Sequence, residues 1–162
     1  MCPSCFSKII EKRVRKSLRE HNWIKPKDKV LVIDDGTLKA KAGVFLLKPI
    51  FKNKPFDITF KKSPIPEKNP KKYAKVLIPK NLDDIAEEYL DNLFNNKKTK
   101  ACSFIAYLSC VSDDEIVIFA KINNIQGKKP AKTMLGKMLD ALEEKYPGSK
   151  FGLIKSISHK NI

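Results

Sequence analysis

Two cysteines close to the start of the sequence, Cys2 and Cys5, have the spacing of a C-x-x-C motif. In a reducing compartment such a pair is more often half of a metal site or a redox pair than a structural disulfide. Two thiolates are too few for a closed zinc site, which needs four ligands. Cys102 and Cys110 lie singly among apolar residues, which is typical of buried cysteines that act as small hydrophobic side chains.

A turn of polar residues, 34–37, follows the apolar run Lys29–Ile33. The run has the β-branched composition of a strand that is buried in a parallel sheet. The two aspartates of the turn could bind a cation, although an acidic turn is also a common loop composition. The pattern predicts a helix over Leu38–Lys48 that ends before Pro49.

A second polar group, Asn81, Asp83 and Asp84, follows the short predicted strand Lys75–Ile78. Asn81 is predicted to cap a helix whose apolar residues recur three and four positions apart: Leu82, Ile85, Ala86, Tyr89, Leu90, Leu93 and Phe94. Carboxylates in the first turn of a helix usually interact with its macrodipole, and we favour that interpretation over a metal or acid–base role.

Elements on either side of these groups must hold them in place. An amphipathic helix is predicted from Phe6, with apolar residues at every fourth position: Phe6, Ile10, Val14 and Leu18. A second strand is predicted over Phe56–Phe60, followed by a solvated loop with three prolines, Lys61–Lys72.

The second half of the sequence predicts a strand over Phe104–Leu108 and a helix that begins with a capping box, Ser112 and Glu115, and runs towards Ile122. A last helix is predicted to begin near Pro130 and to stop at Pro147-Gly148, burying Met134, Leu135, Met138, Leu139 and Leu142. Strands separated by helices indicate one α/β domain with a mostly parallel sheet. Its functional crevice is expected beyond the carboxyl ends of the strands.

The net charge of the 162-residue chain, +15, indicates a polyanionic partner, and nucleic acid is favoured over an anionic membrane surface. No apolar run approaches the length of about 20 residues that a membrane span requires, and we expect a cytoplasmic protein. Phosphate contacts are slightly favoured over a merely solvated surface for eight basic residues: Lys8, Lys12, Arg15, Arg19, Lys61, Lys62, Lys71 and Lys72.

Four segments, taken in order, resemble the PP-loop ATPases of tRNA 2-thiolation, including the cytosolic thiouridylases that modify wobble uridine. Cys2-Pro-Ser-Cys5 and the basic helix after it resemble a zinc knuckle and its helix, and Lys29–Ile33 resembles the strand before the nucleotide loop. Lys80–Asn92 resembles the motif G-H-N-x-D-D-x-A-E-T-x-L-x-N. Leu142–Phe151 resembles the C-terminal signature, in which a helix ends in Tyr or His, Pro and Gly.

The sequence departs from that family in the two loops that bind nucleotide and at the positions of the catalytic cysteines. The nucleotide loop S-G-G-x-D-S corresponds here to 35–40, with the sequence Asp-Gly-Thr-Leu-Lys-Ala. The carboxylate of Asp35 would face phosphate, at an energetic cost of about several kcal/mol. Pro79-Lys80 replaces Gly-His in the second loop, and neither the loop Lys61–Lys72 nor the segment Gln126–Lys129 contains the expected catalytic cysteine.

The resemblance therefore implies a reduced Rossmann-like fold of the adenine nucleotide alpha hydrolase type, with a C-x-x-C and basic helix at 1–23 and an α/β domain at 24–162. It implies no catalytic residues and a vestigial nucleotide loop: Asp35, Gly36, Thr37, Lys39, Asn81, Asp83 and Asp84. Zinc at Cys2 and Cys5 would need ligands from another chain.

The function implied is that of a non-catalytic partner subunit or tRNA-binding protein in wobble-uridine thiolation, similar to the non-catalytic thiouridylase subunit. The expected partners are tRNA and an active tRNA-thiolating PP-loop ATPase, or a second copy of the chain. Two alternatives stay open: a diverged ATP-dependent tRNA sulfurtransferase that uses Cys2 and Cys5 as a sulfur relay, and a basic RNA- or protein-binding module unrelated to thiolation.

Overall fold

The computed structural model describes residues 2–20, 24–25, 27–52, 57–66, 70, 72–97, 104–129 and 131–160, with the backbone alone for 157–160. In chain order its elements are α1 (Pro3–Glu20), β1 (Lys29–Asp34), α2 (Leu38–Phe51), β2 (Asp57–Lys62), β3 (Lys75–Asn81), α3 (Leu82–Phe94), β4 (Phe104–Leu108), α4 (Asp113–Ile122), α5 (Met134–Lys145) and α6 (Ser149–Lys160). None of these helices is both long and apolar enough to cross a membrane.

The four strands form one parallel sheet in the order β2-β1-β3-β4. The chain passes from β1 outwards to β2 and from β3 outwards to β4, in opposite directions along the sheet. Because such crossovers are right-handed, their helices α2 and α3 lie on opposite faces of the sheet. The predicted α/β class with a parallel sheet is confirmed, and the topological switch point lies between β1 and β3.

One face of the sheet is covered by α1, α2 and α4, which share a single apolar core with it. The core residues of α1 are Ile10, Val14 and Leu18, as the four-residue spacing predicted. Gly43 of α2 allows the ring of Tyr107 on β4 to pack closely, since a Cβ at position 43 would lie 2.1 Å from the tyrosine hydroxyl. We call this side the apolar face.

The opposite face is covered by α3, α5 and α6, which pack on one another. Its apolar cluster is small, with Leu31 and Ile33 from β1 and Val76 and Ile78 from β3. Most of the buried ion pairs described below lie on this side or at its border with the other. We call it the charged face.

Several predicted boundaries are wrong because tertiary contacts extend the elements. Pro49 lies inside α2, in a last turn that is held by the buried Ile50. Lys61 and Lys62 belong to β2 and not to a loop, since they pair with Ile33 and Asp34 of β1. Phe56, the predicted first residue of that strand, lies outside the described residues.

The strand β3 continues three residues further than predicted, to Asn81, and contains Pro79. The pairing with β4 shifts register between Ile78 and Asn81, which accommodates a proline that cannot donate to the sheet. This irregular strand end leads directly into α3. The last two apolar residues predicted for α3, Leu93 and Phe94, are exposed.

The predicted last helix is shorter and less buried than its sequence pattern indicated. It begins after Thr133, and Pro130, its predicted start, lies outside the described residues. Of the five side chains expected in the core, only Leu139 is buried, whereas Met134 is 86% exposed. A further helix, α6, follows the turn at Gly148 and was not predicted.

Candidate functional site

A groove of about 750 Å³ opens at the carboxyl ends of β1 and β3, at the switch point of the sheet. The turn after β1 lines one wall with Asp35 and Thr37, and Lys39 follows from the first turn of α2. The acidic side chains of α3 line another wall: Asp84, Glu87, Glu88 and Asp91. The groove lies where the sequence predicted the crevice, and its walls carry more carboxylates than cations.

The turn after β1 uses its own side chains to bind its backbone amides. The Asp34 Oδ1 atom accepts a hydrogen bond from Gly36 N at 2.9 Å, and Asp35 Oδ1 accepts from Thr37 N at 3.0 Å and from Thr37 Oγ1 at 2.6 Å. The Thr37 hydroxyl caps α2 by accepting from Ala40 N at 3.2 Å. A phosphate group could bind these amides only by displacing the side chains that already occupy them.

A second segment, Gln126–Lys129, packs over the same turn. The backbone N–H of Leu38 donates to the Lys128 carbonyl at 3.0 Å, and Thr37 forms an isolated β-bridge with Lys128. A Cβ at Gly127 would lie 2.8 Å from the Cα of Leu38, so the backbones approach closely. The segment that the family resemblance assigns to a catalytic cysteine therefore lies against the turn and closes it.

Lys39 is a buried cation at the centre of this region. Its ammonium group lies 2.6 Å from Asp84 Oδ1, 3.1 Å from Asp113 Oδ1 and 3.4 Å from Asn81 Oδ1. Asn81 also donates from Nδ2 to Asp113 Oδ1 at 2.6 Å. Burial alone would lower the pKa of Lys39, but Asp84 and Asp113 outweigh it and raise that pKa, so the lysine stays charged. Burial raises the pKa of Asp113, and Lys39 opposes that effect.

The same charges continue into the charged face. Asp83 accepts a hydrogen bond from the backbone of Asp113 at 2.7 Å and forms an ion pair with the buried Lys150 of α6. Lys150 also lies 2.6 Å from Asp140 Oδ1 of α5, and Lys132 binds the other oxygen of Asp140. Although burial alone would lower the pKa of Lys150, its hydrogen bonds to Asp140 and Asp83 raise it well above the usual range. We call this set of paired groups, from Lys39 to Lys132, the charge network.

The structure therefore brings together part of the predicted nucleotide loop. Lys39, Asn81 and Asp84 are in mutual contact, and Asp84 completes a capping box with Asn81. Asp83 contacts the other end of the charge network, while Asp35, Gly36 and Thr37 form the closed turn. The acids that begin α3 thus bind specific lysines as well as meeting the helix macrodipole.

Sequence reasoning missed four members of the charge network, Asp113, Lys132, Asp140 and Lys150. Asp113 had a usable signal, because it begins the helix after β4 and the carboxyl ends of parallel strands meet at one edge of the sheet. Lys150 had none, since it belongs to the helix that was not predicted. Its partner Asp140 could not be identified without it.

The basic residues predicted to contact RNA are exposed but lie in two separate places. Lys8, Lys12, Arg15 and Arg19 lie along α1, which packs on β4 at one edge of the sheet. Arg15 pairs with Glu11 on the same helix. We call these four residues the α1 basic surface.

The second basic group lies at the opposite edge of the sheet. Lys61 and Lys62 are exposed on the edge strand β2, and Lys72 is exposed before β3. Lys71 lies outside the described residues, as does Cys102. The two basic groups therefore lie at opposite edges of the sheet.

The cysteines differ in environment. Cys2 and Cys5 are both exposed at the start of α1, and the Cys5 N–H donates to Cys2 Sγ at 3.3 Å. Cys110 lies in the turn after β4, and burial raises the pKa of its thiol to about 11, which keeps it protonated. Among the residues that the structure describes, no three His, Cys, Asp or Glu side chains are grouped to hold a metal ion. The zinc prediction therefore gains no support.

Comparison with known proteins finds similarity in structure alone. No protein-family model matches the sequence, and no curated protein matches it. The solved structure described as the U34-tRNA thiolase NcsA from Methanococcus maripaludis with its [4Fe-4S] cluster matches with a TM-score of 0.75 and 19% sequence identity. The match covers 98% of this chain and 80% of the thiolase chain, so the two share a Rossmann-like fold over nearly all of this chain.

The cluster of that thiolase has no counterpart among the described residues here. Iron–sulfur clusters are held mainly by cysteine thiolates, and a [4Fe-4S] cluster typically uses four. The described cysteines are one exposed pair at the start of α1 and the half-buried Cys110, whose protonated thiol is unsuited to binding iron. The residues that the structure describes do not fit the cluster.

Proposed function

We propose that this chain is a non-catalytic PP-loop-like protein of tRNA wobble-uridine thiolation, which binds tRNA and an active thiolating ATPase. It contributes binding surface rather than nucleotide chemistry. The proposal has three supports: the closed turn after β1, the charge network at the switch point and the α1 basic surface. The fold shared with a U34-tRNA thiolase supplies the biological context.

The closed turn carries most of the argument against ATP chemistry. Nucleotide loops of α/β proteins bind phosphate through free backbone N–H groups at a helix N-terminus. Here the amides of Gly36, Thr37, Leu38 and Ala40 already donate to oxygens of the chain itself. Two of those oxygens belong to carboxylates, which also repel a triphosphate.

The charge network adds a second obstacle to nucleotide binding. The ammonium group of Lys39, which could attract phosphate, is neutralised by Asp84 and Asp113 within 3.1 Å. The remaining carboxylates along α3 give the groove an excess of negative charge. A polyanionic ligand is therefore expected to bind elsewhere on the chain.

The α1 basic surface is the best candidate for contact with tRNA. Its residues are exposed, and no acidic side chain in the described part of the chain forms an ion pair with Lys8, Lys12 or Arg19. Positions four apart on a helix are about 6 Å apart along its axis. Such a row of cations can follow a phosphate backbone without reading its sequence.

Two binding measurements test the proposal. Titration calorimetry with ATP and Mg²⁺ is expected to show no binding, whereas tRNA is expected to bind with an affinity that falls steeply with salt. Clear micromolar binding of ATP would overturn the proposal and favour a diverged ATP-dependent sulfurtransferase. Co-elution with an active thiolating ATPase would support the partner role.

A matched pair of variants tests the surface. Replacing Lys8 and Lys12 by Ala is expected to lower the slope of log affinity against log salt by about two. Replacing Lys137 and Lys145 on α5 by Ala changes the net charge equally and is expected to leave that slope close to the wild-type value. Equal effects of the two double variants would contradict the assignment of α1 as the tRNA surface.

A further inference from the structure

A second cavity opens next to the first turns of α1, close in sequence to the C-x-x-C pair, although neither cysteine lines it. This cavity of about 380 Å³ is formed between α1, α2 and α4. Ser4, Ser7, Lys8 and Glu11 line it from α1, and Ser4 lies between the two cysteines in sequence. The carboxylate of Glu11 forms an ion pair with Arg15 of the same helix, so Lys8 is the charged lining residue without an ion pair in the described part of the chain. Its other wall is largely apolar, with Phe45 and Pro49 from α2 and Phe119 and Ile122 from α4. Its volume lies within the range of about 300–1,000 Å³ that is typical of small-molecule sites.

The two thiols are placed for reaction with each other. Cys2 immediately precedes α1, and its carbonyl accepts the hydrogen bond of Phe6 N at 3.0 Å, which makes Cys2 the residue that caps the helix. Cys5 lies in the first turn, and its N–H donates to the Cys2 sulfur at 3.3 Å. A disulfide requires Cβ atoms about 3.5–4.5 Å apart, roughly 1 Å less than the spacing of about 5–6 Å between residues three apart on a helix. A small movement of Cys2 would suffice, because it lies outside the helix.

We propose that Cys2 and Cys5 form a thiol–disulfide exchange site that takes an anionic disulfide as its substrate, held in the adjacent cavity with Lys8 as the positive contact. Both cysteines are exposed, so an incoming disulfide can reach them. In the described part of the chain no third metal-binding side chain accompanies them. The proposal does not depend on the proposed role in tRNA thiolation.

The reaction balances without any cofactor. The Cys2 thiolate attacks one sulfur of the substrate R–S–S–R, forming a mixed disulfide with R–S and releasing the other half as a thiolate, which takes up the proton that Cys2 lost. The Cys5 sulfur then attacks the Cys2 sulfur, closes the Cys2–Cys5 disulfide and releases the second half as RSH with the proton of Cys5. Two electrons and two protons pass from the protein to the substrate, which becomes two thiols.

Intact-mass measurement of the whole protein with glutathione disulfide tests the chemistry. The wild type is expected to lose the mass of two hydrogen atoms, with a Cys2–Cys5 cross-link in its digest that a dithiol reverses. The Cys5→Ser variant is expected to retain one glutathionyl group on Cys2, because nothing displaces it. Stable glutathionylation of the wild type, dimers linked through Cys2, or zinc that resists a chelator and blocks oxidation would each overturn the proposal.

The rates test the substrate class and the use of the cavity. Glutathione disulfide, an anion, is expected to react faster than the cationic disulfide cystamine, and high salt is expected to reduce the difference. Lys8→Ala is expected to slow only the anionic substrate. Lys16→Ala is the control, since it removes an equal charge from the same helix two turns further on. Equal slowing by both variants, or no preference for the anion, would refute the role of Lys8 and the cavity.

Discussion

The two faces of the sheet are held to it by different forces. On the apolar face, α1, α2 and α4 bury a continuous apolar core against the strands. On the charged face, α3, α5 and α6 bury few apolar side chains and are joined by ion pairs centred on Lys150. Apolar burial depends weakly on which neighbour supplies it, whereas a buried charge requires a particular partner. The charged face should therefore respond more sharply to single changes.

Removal of Lys150 is expected to give the largest effect. Its side chain is 5% exposed and that of its partner Asp83 is 7% exposed, so Lys150→Met leaves a buried carboxylate without its cation. We expect the free energy of unfolding to fall by about 3–5 kcal/mol, measured by urea denaturation. The double variant Lys150→Met/Asp83→Asn should recover a large part of that loss. A loss below about 1 kcal/mol for the single variant would contradict the buried pair.

Gly43→Ala is expected to have a smaller effect, on the apolar face. The new methyl group would lie 2.1 Å from the Tyr107 hydroxyl, and relief of such overpacking typically costs about 1–3 kcal/mol. Addition of Tyr107→Phe should return part of the loss, because it removes the nearest atom. That hydroxyl has no hydrogen-bond partner within the part of the chain that the structure describes, so the phenylalanine loses no bond. Failure of the second change to help would show that the clash is not the cause.

The pH dependence of stability tests the charged face through Asp140, a residue of α5. Burial alone would raise the pKa of Asp140, but hydrogen bonds from Lys132 and Lys150 outweigh it and lower the pKa. A carboxyl with a lowered folded pKa stabilises the fold above its unfolded pKa of about 3.9, and this contribution is lost as the pH falls through the folded pKa. The wild type should therefore exceed Asp140→Asn in stability at neutral pH, and the difference should shrink on acidification.

Comparing the wild type with Asp140→Asn also removes the contribution of Asp113 to the pH dependence of stability, which has the opposite sign to that of Asp140. Burial raises the pKa of Asp113, so protonation of this group favours the folded state as the pH falls. Because Asp113 is present in both proteins, its effect cancels in the difference between them. A difference that stayed constant from neutral to acidic pH would refute the role of Asp140.

Met134→Ser is expected to have the smallest effect. This side chain is 86% exposed on α5, and surface substitutions usually change stability by less than about 0.5 kcal/mol. A loss above about 1 kcal/mol at several protein concentrations would show that the side chain is buried in solution. The measurement requires only thermal unfolding of the wild type and the variant side by side.

Prediction from sequence succeeded where the determining contacts are local. The strand β4 and the capping box of Ser112 with Glu115 agree with the sequence pattern, and Asn81 caps α3 as expected. Capping depends on side chains and amides only three residues apart. The end of α2 was mispredicted because Pro49 is an ordinary helix-stop signal, which the packing of neighbouring elements outweighs here. The helix α6 was missed because Pro147 is also a helix-stop signal, and such a signal does not predict that another helix follows it.

The burial of α5 could not be predicted for a similar reason. Its apolar residues recur at helical spacing, but a helix that covers a sheet face thinly buries only part of that stripe, and here Leu139 alone is fully covered. Periodicity reports which side of a helix is apolar. It does not report how much neighbouring structure lies against that side.

The sequence by itself determined the parallel α/β class, the polar residues at the strand ends and the strong positive charge, since each follows from composition or short-range spacing. Only the tertiary structure decided that Lys39 is neutralised by Asp84 and Asp113, and that Asp83 binds Lys150. These partners lie from 45 to 74 positions apart along the chain, and they meet because three strands end at one edge of the sheet. Charges so far apart in sequence become partners only when the helices that carry them are packed.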